Sequence, residues 1–341
     1  MADVAQIVED VRARGDAALR EWSLELDGVE PARAVPGDAT VPREELLVLA
    51  DRVRRWHDLQ RPAAVSFDVE PGVSLERRWV ALESVGVYVP RGLISTLVMC
   101  AVPAQVAGVE RIVVATPPAG AGVVAAAADV LGLGEVWAVG GPQAIAALAY
   151  GTDMIAAVDK IVGPGNAYVN EAKLLVSRDV AIDLPAGPSE VIVVLGRGGD
   201  RRLAELEVAA QAEHGAGTVC RIVDGSDLEA ALAEVELAAP EHLVLLGDAV
   251  ALADRVRNAG AVFVGDYSPV ASGDYATGGN HVLPTGGRAR STGGLGLEAF
   301  LKPVTVQRLT RDGLELVRPV VEALAQAEGM PAHAEAVQPR D

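Results

Sequence analysis

The 341-residue chain has few cysteines and few aromatic residues. Cys100 and Cys220 are its only cysteines, which is too few for a disulfide framework or for a zinc site built from thiolates. Aromatic residues make up 4% of the chain, whereas half of it is hydrophobic and rich in Ala, Val, Leu and Gly. This usage is typical of layered α/β proteins, whose central strands are apolar on both faces.

Positive charge and long hydrophobic runs are also scarce. The chain has 29 Lys and Arg residues against 47 Asp and Glu residues, a formal net charge of −18. Nucleic acid is therefore not expected as a partner, because phosphate binding relies on clustered Lys and Arg. No apolar run approaches the length of a membrane span, and no basic segment leads into an apolar one at the N-terminus. We expect a cytoplasmic protein without a membrane partner.

The hydrophobic pattern changes near residue 79. Before it, apolar residues recur at three- and four-residue spacing, which predicts helices. After it, short apolar runs alternate with helical stretches and are often followed by glycine or polar residues. The predicted strands are VGVYVP, RIVVAT, EVWAVGG, KIVGPG, EVIVVL, TVCRIV, HLVLLG and AVFVGD. This alternation predicts parallel sheets with crossover helices and with ligands at the carboxyl ends of the strands. The strand pattern stops after residue 265, and a last helix is predicted over GLELVRPVVEALAQAEG.

The segment QAEHG, residues 211–215, holds a glutamine, a glutamate and a histidine at the end of a predicted amphipathic helix. Gly215 is typical of a helix stop. Gln211 and His214 would then project from one face of the last helical turn, because residues three apart are neighbours on a helix. The segment alone is compatible with metal ligands, with a substrate clamp and with a solvated helix end.

The chain has only five histidines. His57 lies between Trp56 and Asp58 in the N-terminal helical region, where a solvated helix face is expected. The other four, His214, His242, His281 and His333, each have a carboxylate within seven residues and lie in loops or at element ends. Such residues suit either a metal site, which needs converging ligands, or general base catalysis, which needs an oriented imidazole.

No GxGxxG dinucleotide fingerprint follows any predicted strand. The nearest sequences are VGGPQ at 139–143 and GPGN at 163–166. Their glycines would let backbone N–H groups approach an anion, although a tight turn explains a pair of glycines equally well.

Nine stretches, in this order along the chain, resemble the histidinol dehydrogenase family. They are VRARGDAALREWS, SVGVYVP, VGGPQAIAALAYG, VDKIVGPGNAYV, AIDLPAGPSEV, QAEHG, PEHL, GDYSPVASGDYATGGNHVLPT and AEGMPAH. The family consists of zinc- and NAD-dependent enzymes that oxidise L-histidinol through histidinal to L-histidine with two NAD⁺, the last steps of histidine biosynthesis. A relative that oxidises a different alcohol and a metal-binding protein without redox activity are the alternatives.

The resemblance implies a role for each matched residue. The implied zinc ligands, for about one ion per chain, are Gln211, His214, Asp274 and His333, and the catalytic pair is Glu241 and His242. The implied substrate contacts are Ser189, His281 and Glu328, together with His242 and the four zinc ligands. The implied NAD contacts are Tyr88, Gln143 and Asn166. An amide oxygen, two imidazoles and a carboxylate suit a borderline metal such as zinc.

The resemblance also implies an architecture and an assembly. We expect an α/β fold with two incomplete Rossmann-like domains and parallel sheets, plus helical N-terminal and C-terminal segments. The expected bounds are an N-terminal helical segment at 1–78, an NAD-side domain at 79–195, a second, shortened domain at 196–285 and a helical tail at 286–341. Compared with the family, the chain has a shorter loop after VGVYVP and lacks about one helix and one strand between VCRIVDG and APEHL. An intertwined homodimer is expected, in which the tail completes the partner's active site.

Overall fold

The computed structural model describes residues 3–185, 187–215 and 217–338, and it has the predicted α/β fold. Within this part, residues 3–61 and 82–300 form one compact unit, and residues 62–81 and 301–338 form a second. We call them the larger and the smaller unit.

Helices and strands alternate through most of the larger unit. The helices of the chain are α1 (Val4–Arg14), α2 (Asp16–Leu26), α3 (Arg43–Asp58), α4 (Ile94–Ala107), α5 (Ala121–Leu131), α6 (Gly141–Tyr150), α7 (Ala167–Val176), α8 (Arg201–Ala212), α9 (Leu228–Ala238), α10 (Val270–Tyr275), α11 (Arg311–Ala327) and α12 (Pro331–Ala336). The strands are β1 (Ala32–Arg33), β2 (Val65–Glu70), β3 (Val73–Ala81), β4 (Ser84–Tyr88), β5 (Arg111–Thr116), β6 (Val136–Ala138), β7 (Lys160–Val162), β8 (Ala181–Ile182), β9 (Glu190–Gly196), β10 (Val219–Gly225), β11 (His242–Leu246), β12 (Ala261–Val264) and β13 (Leu301–Leu309). Among the described residues, no helix combines the length and the apolarity needed to cross a membrane.

The first sheet of the larger unit has the strand order β1-β6-β5-β4-β7-β8. Its neighbouring strands are parallel, except that β1 runs antiparallel to β6. The order of the parallel strands reverses between β4 and β7, as in doubly wound Rossmann folds. Ligands of such folds bind outside the carboxyl ends of the strands at this reversal, so the turns after β4 and β7 define the expected cofactor edge.

The second sheet has the order β10-β9-β11-β12, and all its neighbouring strands are parallel. His242 opens β11 and lies in register with Val191 of β9 and Ala261 of β12. Because β11 is a central strand and is buried at every position, the backbone of His242 is held between two ladders. The sheet therefore fixes the backbone of the residue that is expected to act as the catalytic base.

Helix α1 shows how the outer layers are attached. Val4, Ile7, Val8 and Val11 are buried, which places one apolar stripe against the core. Asp3 caps the helix by accepting a hydrogen bond from the backbone N–H of residue 5 at 3.0 Å. Burying each such aliphatic side chain contributes about 1.5–3 kcal/mol, so the stripe, and not helix propensity, fixes the helix in place.

Every predicted strand is a strand in the structure, but two predicted helical segments contain strands as well. β2 and most of β3 fall within 1–78, and β13 falls within 286–341; together they form the antiparallel sheet β13-β3-β2 of the smaller unit. The prediction failed there because these strands bury little surface. β2 is exposed at all six positions, and β13 is fully buried only at its first. Neither shows the apolar run that marks a strand buried on both faces.

The boundary expected at residue 195 falls inside a strand. Strand β9, Glu190–Gly196, pairs with β10 and β11 and so belongs to the second sheet. An apolar run predicts a strand but does not tell which sheet the strand joins, because that choice depends on pairing between distant segments.

Candidate active site

A cavity of about 540 Å³ lies within the larger unit, a size typical of small-molecule sites. The loops that follow β4 and β7 line it from the first sheet, through Pro90 and residues 163–165. From the second sheet, Ser189 lies just before β9 and Glu241 just before β11. In the second sheet it is the amino ends of the strands, and not the carboxyl ends named in the prediction, that face this cavity. Polar residues flank strands at both ends, and only the topology decides which end faces the site.

Most of the predicted site residues meet in this cavity. Those that line it are Ser189, Gln211, His214, Glu241, His242, Asp274 and His281. They come from two strand ends, from α8 and the turn after it, from α10 and from the loop that follows α10. Segments far apart in the sequence therefore converge on a single site, which is what catalysis or metal binding requires.

Glu241 is held by a short network of hydrogen bonds. Ser189 donates its hydroxyl to Oε2 of Glu241 at 2.6 Å, and the backbone N–H of Glu190 donates to the same oxygen at 2.8 Å. Gln211 in turn donates its side-chain amide to the Ser189 hydroxyl. Burial raises the pKa of Glu241 to about 7, although both hydrogen bonds act in the opposite direction. A carboxyl group poised near neutrality suits proton transfer at physiological pH.

His242 is buried with one ring nitrogen engaged and the other free. Nδ1 lies 3.0 Å from the backbone carbonyl of Glu190, which assigns the ring proton to Nδ1. Nε2 is buried and has no hydrogen-bond partner among the described residues. Burial lowers the pKa of His242, while Asp274 raises it. The side chain is therefore a neutral imidazole with an available acceptor nitrogen, the form that a general base requires.

Gln211, His214 and Asp274 have the properties of metal ligands. Because Gln211 uses its amide nitrogen toward Ser189, its oxygen is the atom left for a cation. Nδ1 of His214 lies 3.1 Å from the Gln211 carbonyl, which directs Nε2 away, as in many metal-binding histidines. Burial raises the pKa of Asp274, whereas His242 and His214 lower it. Both imidazoles are therefore close enough to the Asp274 carboxyl group to interact with it electrostatically.

In the ranges that the structure describes, no three His, Cys, Asp or Glu side chains converge as a ready metal site. The donor types nevertheless fit a borderline metal, because an amide oxygen, an imidazole and a carboxylate all lie in one cavity. Helix α8 ends at residue 212, so His214 lies in the turn beyond it and not in the last helical turn as predicted. The positive φ of 101° at Gly215 agrees with the predicted stop.

His281 is held by α10 and by a residue that the sequence did not suggest. Its Nδ1 lies 3.2 Å from the carbonyl of Asp274, and its Nε2 lies 3.4 Å from the hydroxyl of Thr96 on α4. Burial lowers the pKa of His281 to about 4, so the ring is neutral at physiological pH. Thr96 had no sequence signal, because a threonine within an apolar helix is most often only a core residue.

Tyr88, Gln143 and Asn166 all lie near the carboxyl edge of the first sheet. Tyr88 is buried, and its hydroxyl accepts from the backbone N–H of Gly141 at 3.2 Å; burial raises its pKa to about 12. Gln143 is also buried and donates to Asp27 at 3.1 Å. Asn166 is exposed and caps α7. Of these three predicted NAD contacts, only Asn166 is exposed to solvent. Tyr88 and Gln143 are buried beneath the carboxyl edge of the sheet.

A buried ion pair supports the same edge. Lys173 contacts Asp183, with side-chain exposures of 2% and 1%, and donates to the carbonyl of Gly163 at 2.9 Å. Asp183 accepts from the N–H of Gly163 at 2.6 Å. Gly163 has a φ of 111°, and a Cβ there would lie 2.1 Å from the carbonyl oxygen of Tyr88, so only glycine fits. The pair was missed, although a lysine inside the apolar helix AYVNEAKLLV is a usable signal.

Glu328 and His333 belong to the smaller unit. Glu328 is the C-cap of α11, and His333 lies on α12. Both residues are exposed. Their assignment to substrate and metal stays a prediction.

His57 corrects the expectation of a solvated helix face. It is completely buried on α3, and its Nδ1 lies 2.8 Å from the carbonyl of Val53. Trp56 and Asp58, on either side of it, are both exposed, but the helix position between them points inward to the core.

The two sheets, which both line the cavity that holds Glu241 and His242, define an α/β protein with two mainly parallel sheets of the Rossmann type. An acetylating aldehyde dehydrogenase from Geobacillus thermoglucosidasius shares this fold, with a TM-score of 0.54, 13% identity and coverage of 90% of this chain and 91% of that chain. The family model of histidinol dehydrogenase matches residues 1–227 and 218–341. The chain belongs to the histidinol dehydrogenase family.

Relatives of known name agree over nearly the whole chain. Histidinol dehydrogenase from Methanosarcina barkeri is 40% identical over 394 residues, covering 99% of this chain and 91% of the relative. The enzyme from Haloarcula marismortui is 41% identical over 392 residues, covering 99% and 93%. The crystal structure of histidinol dehydrogenase from Elizabethkingia anophelis has a TM-score of 0.90 at 31% identity, covering 99% of this chain and 92% of that chain.

This chain is a shortened member of the family. The aligned spans exceed its own length of 341 residues, so the relatives carry segments that it lacks. The family model matches the chain in two segments that overlap at residues 218–227, on β10 and the residues before α9. That is where the sequence predicted a missing helix and strand.

Proposed function

We propose that this protein oxidises L-histidinol to L-histidine through histidinal, with one NAD⁺ accepting a hydride in each of two successive steps. Family membership supplies the substrate class. The observation that carries the proposal is the buried pair Glu241 and His242, whose environments suit different proton transfers in one cavity.

His242 serves as the base in the first step. Its unprotonated Nε2 takes the hydroxyl proton of the alcohol while the hydride leaves the same carbon, which yields the aldehyde. The hydrogen bond between Nδ1 and the Glu190 carbonyl holds the ring and stabilises the proton on the other nitrogen.

Glu241 serves in the second step, because an aldehyde must add water before another hydride can leave. Its carboxylate accepts a proton from the attacking water, and a pKa of about 7 allows it to hold and release that proton. Ser189 and the N–H of Glu190 keep the carboxylate in place while it takes up and releases the proton. His242 then takes the hydroxyl proton of the hydrated aldehyde as the second hydride leaves.

We further propose that Gln211, His214 and Asp274 hold a zinc ion, with the partner subunit's His333 as the remaining ligand. When bound, zinc supplies a fixed positive charge that holds the substrate's imidazole and amino nitrogens and so orients the reacting carbon. NAD is assigned to the carboxyl edge of the first sheet, where Lys173 and Asp183 anchor the backbone of Gly163 in the turn at residues 163–166.

An obligate homodimer with shared active sites is part of the proposal. Helix α11 exposes Leu316, Val320 and Leu324 at four-residue spacing, with exposures of 54%, 60% and 59%. An apolar stripe of this kind supports a partner subunit that covers it, because soluble chains seldom leave such stripes in water. Glu328 and His333 follow directly after this helix. A cytoplasmic location is proposed too, in keeping with the free thiols of the two cysteines.

The test is NADH formation with L-histidinol, measured beside a panel of other amino alcohols. The proposal predicts that histidinol has by far the highest kcat/KM and yields two NADH per molecule. A second alcohol that outcompetes histidinol would favour the alternative, a relative with a different substrate. Absence of NADH with every alcohol, in a zinc-loaded dimer, would reject the enzyme proposal itself.

A further inference from the structure

Glu207 connects the two helices that carry the proposed metal ligands. It lies on α8, four residues before Gln211 and on the same face. Its Oε2 accepts a hydrogen bond from the backbone N–H of Val270 at 3.1 Å. Val270 is the first residue of α10, and Asp274 lies one turn further along that helix. The bond therefore ties α8, with Gln211 at its end, to the helix of Asp274.

The start of α10 depends on this bond for a cap. The first N–H groups of a helix need an acceptor, and the residue at the N-cap, Pro269, has no side-chain acceptor to offer. Glu207 supplies the missing oxygen from a different helix, with a negative charge that suits a helix N-terminus. A helix of six residues has little stability of its own, so its position follows from such tertiary contacts.

The surroundings of Glu207 strengthen its hydrogen bond with Val270. The residue lines the active-site cavity and also a neighbouring apolar cavity of about 350 Å³, whose walls include Leu203, Leu206 and Val244. Burial raises the pKa of Glu207, whereas the hydrogen bond from Val270 lowers it. In this half-buried setting, water competes less for the carboxylate than it would at the surface.

We propose that Glu207 is a positioning residue, which sets the distance of Asp274 from Gln211 and His214 and thereby the affinity of the site for zinc. The inference rests on the proposed zinc site. It assigns Glu207 no contact with the metal or with the substrate.

Three variants separate this role from general stability. Glu207→Ala removes the acceptor, and Glu207→Gln removes the charge but keeps an oxygen for the Val270 N–H. Val270→Pro removes the donor instead; proline is accepted at the first position of a helix, and the extended Pro269 (φ −68°, ψ 149°) suits a following proline. The matched control is Glu205→Ala, on the same helix, where Glu205 is exposed and pairs with Arg201 on the helix surface.

The measurement is the zinc affinity of the purified dimer, obtained by titrating the zinc-loaded protein with a chelator of known affinity, with thermal unfolding of each variant beside it. Glu207→Ala and Val270→Pro are expected to weaken zinc binding by ~10–100-fold, as outer contacts of metal ligands generally do. Glu207→Gln is expected to stay within about threefold of the unmodified protein because the cap is kept. Glu205→Ala should bind zinc unchanged.

A purely structural role gives another pattern. Glu207→Ala would then lower the unfolding temperature while the folded protein kept its zinc affinity, and the inference would be overturned. It would also be overturned if Glu207→Gln were as weak as Glu207→Ala, since the hydrogen bond would not be the cause. If the unmodified dimer bound no zinc, the proposed metal site would fail first and the inference with it, an outcome distinct from the other two.

Discussion

The buried ion pair of Lys173 and Asp183 leads to a quantitative prediction. Both side chains are almost fully buried, and both also hydrogen-bond to the backbone of Gly163. In Lys173→Met, the Asp183 carboxylate would be left in the interior without its counter-charge. Loss of one partner of a buried pair typically costs about 3–5 kcal/mol, because desolvation of the remaining charge is no longer offset.

The assay is urea unfolding followed by circular dichroism at fixed protein concentration. With a slope of about 3 kcal/mol per M, the upper end of the range for small proteins, the midpoint of Lys173→Met should fall by about 1–2 M. The control is Arg255→Met, which breaks the exposed pair with Glu229 and should leave the midpoint unchanged.

A double variant tests the physical reason. In Lys173→Met/Asp183→Leu no charge stays buried, so part of the lost stability should return, although the hydrogen bonds to Gly163, worth about 1 kcal/mol each, are still missing. A midpoint for Lys173→Met equal to that of the unmodified protein would refute the argument. So would a double variant that is less stable than Lys173→Met.

The remaining predictions concern the site, the pH dependence and the assembly. Glu241→Gln should chiefly slow the aldehyde half-reaction, so a normal rate with histidinal supplied directly would contradict the role of this carboxylate. His214→Ala should lose zinc and activity while keeping its circular dichroism spectrum; full zinc occupancy on metal analysis would reject the ligand assignment. Burial lowers the pKa of His57 below 6.5, so the unfolded chain binds a proton there before the folded chain does. Stability to urea should therefore fall as pH drops below about 6.5, and His57→Gln should show a smaller fall; equal slopes would contradict this. Mixing inactive His333→Ala and His242→Ala chains should restore some activity in heterodimers, and heterodimers without activity would show that the sites are not shared.

The sequence by itself determined the central α/β architecture and most residues of the site. The strands of both parallel sheets were predictable because they are buried on both faces and so read as continuous apolar runs. Strands β2, β3 and β13 were not predictable, because the strands of a largely exposed antiparallel sheet have no continuous apolar run. The site motifs were readable because catalysis needs specific side chains, and their order along the chain matched a family. The seven residues Ser189, Gln211, His214, Glu241, His242, Asp274 and His281 could thus be named without coordinates.

Only the tertiary structure decided what surrounds these residues. The partner of Glu207 is 63 residues away and is a backbone N–H, a group that every residue but proline has, so no sequence pattern could reveal it. His57 lies between the exposed residues Trp56 and Asp58 and yet is buried, because burial depends on what packs against a helix and not on the residues beside it. The second sheet presents the amino ends of its strands to the cavity, a matter of how two sheets are arranged in space. Local sequence specifies elements and chemical groups, whereas hydrogen-bond partners, burial and pKa depend on contacts between segments that the chain brings together only by folding.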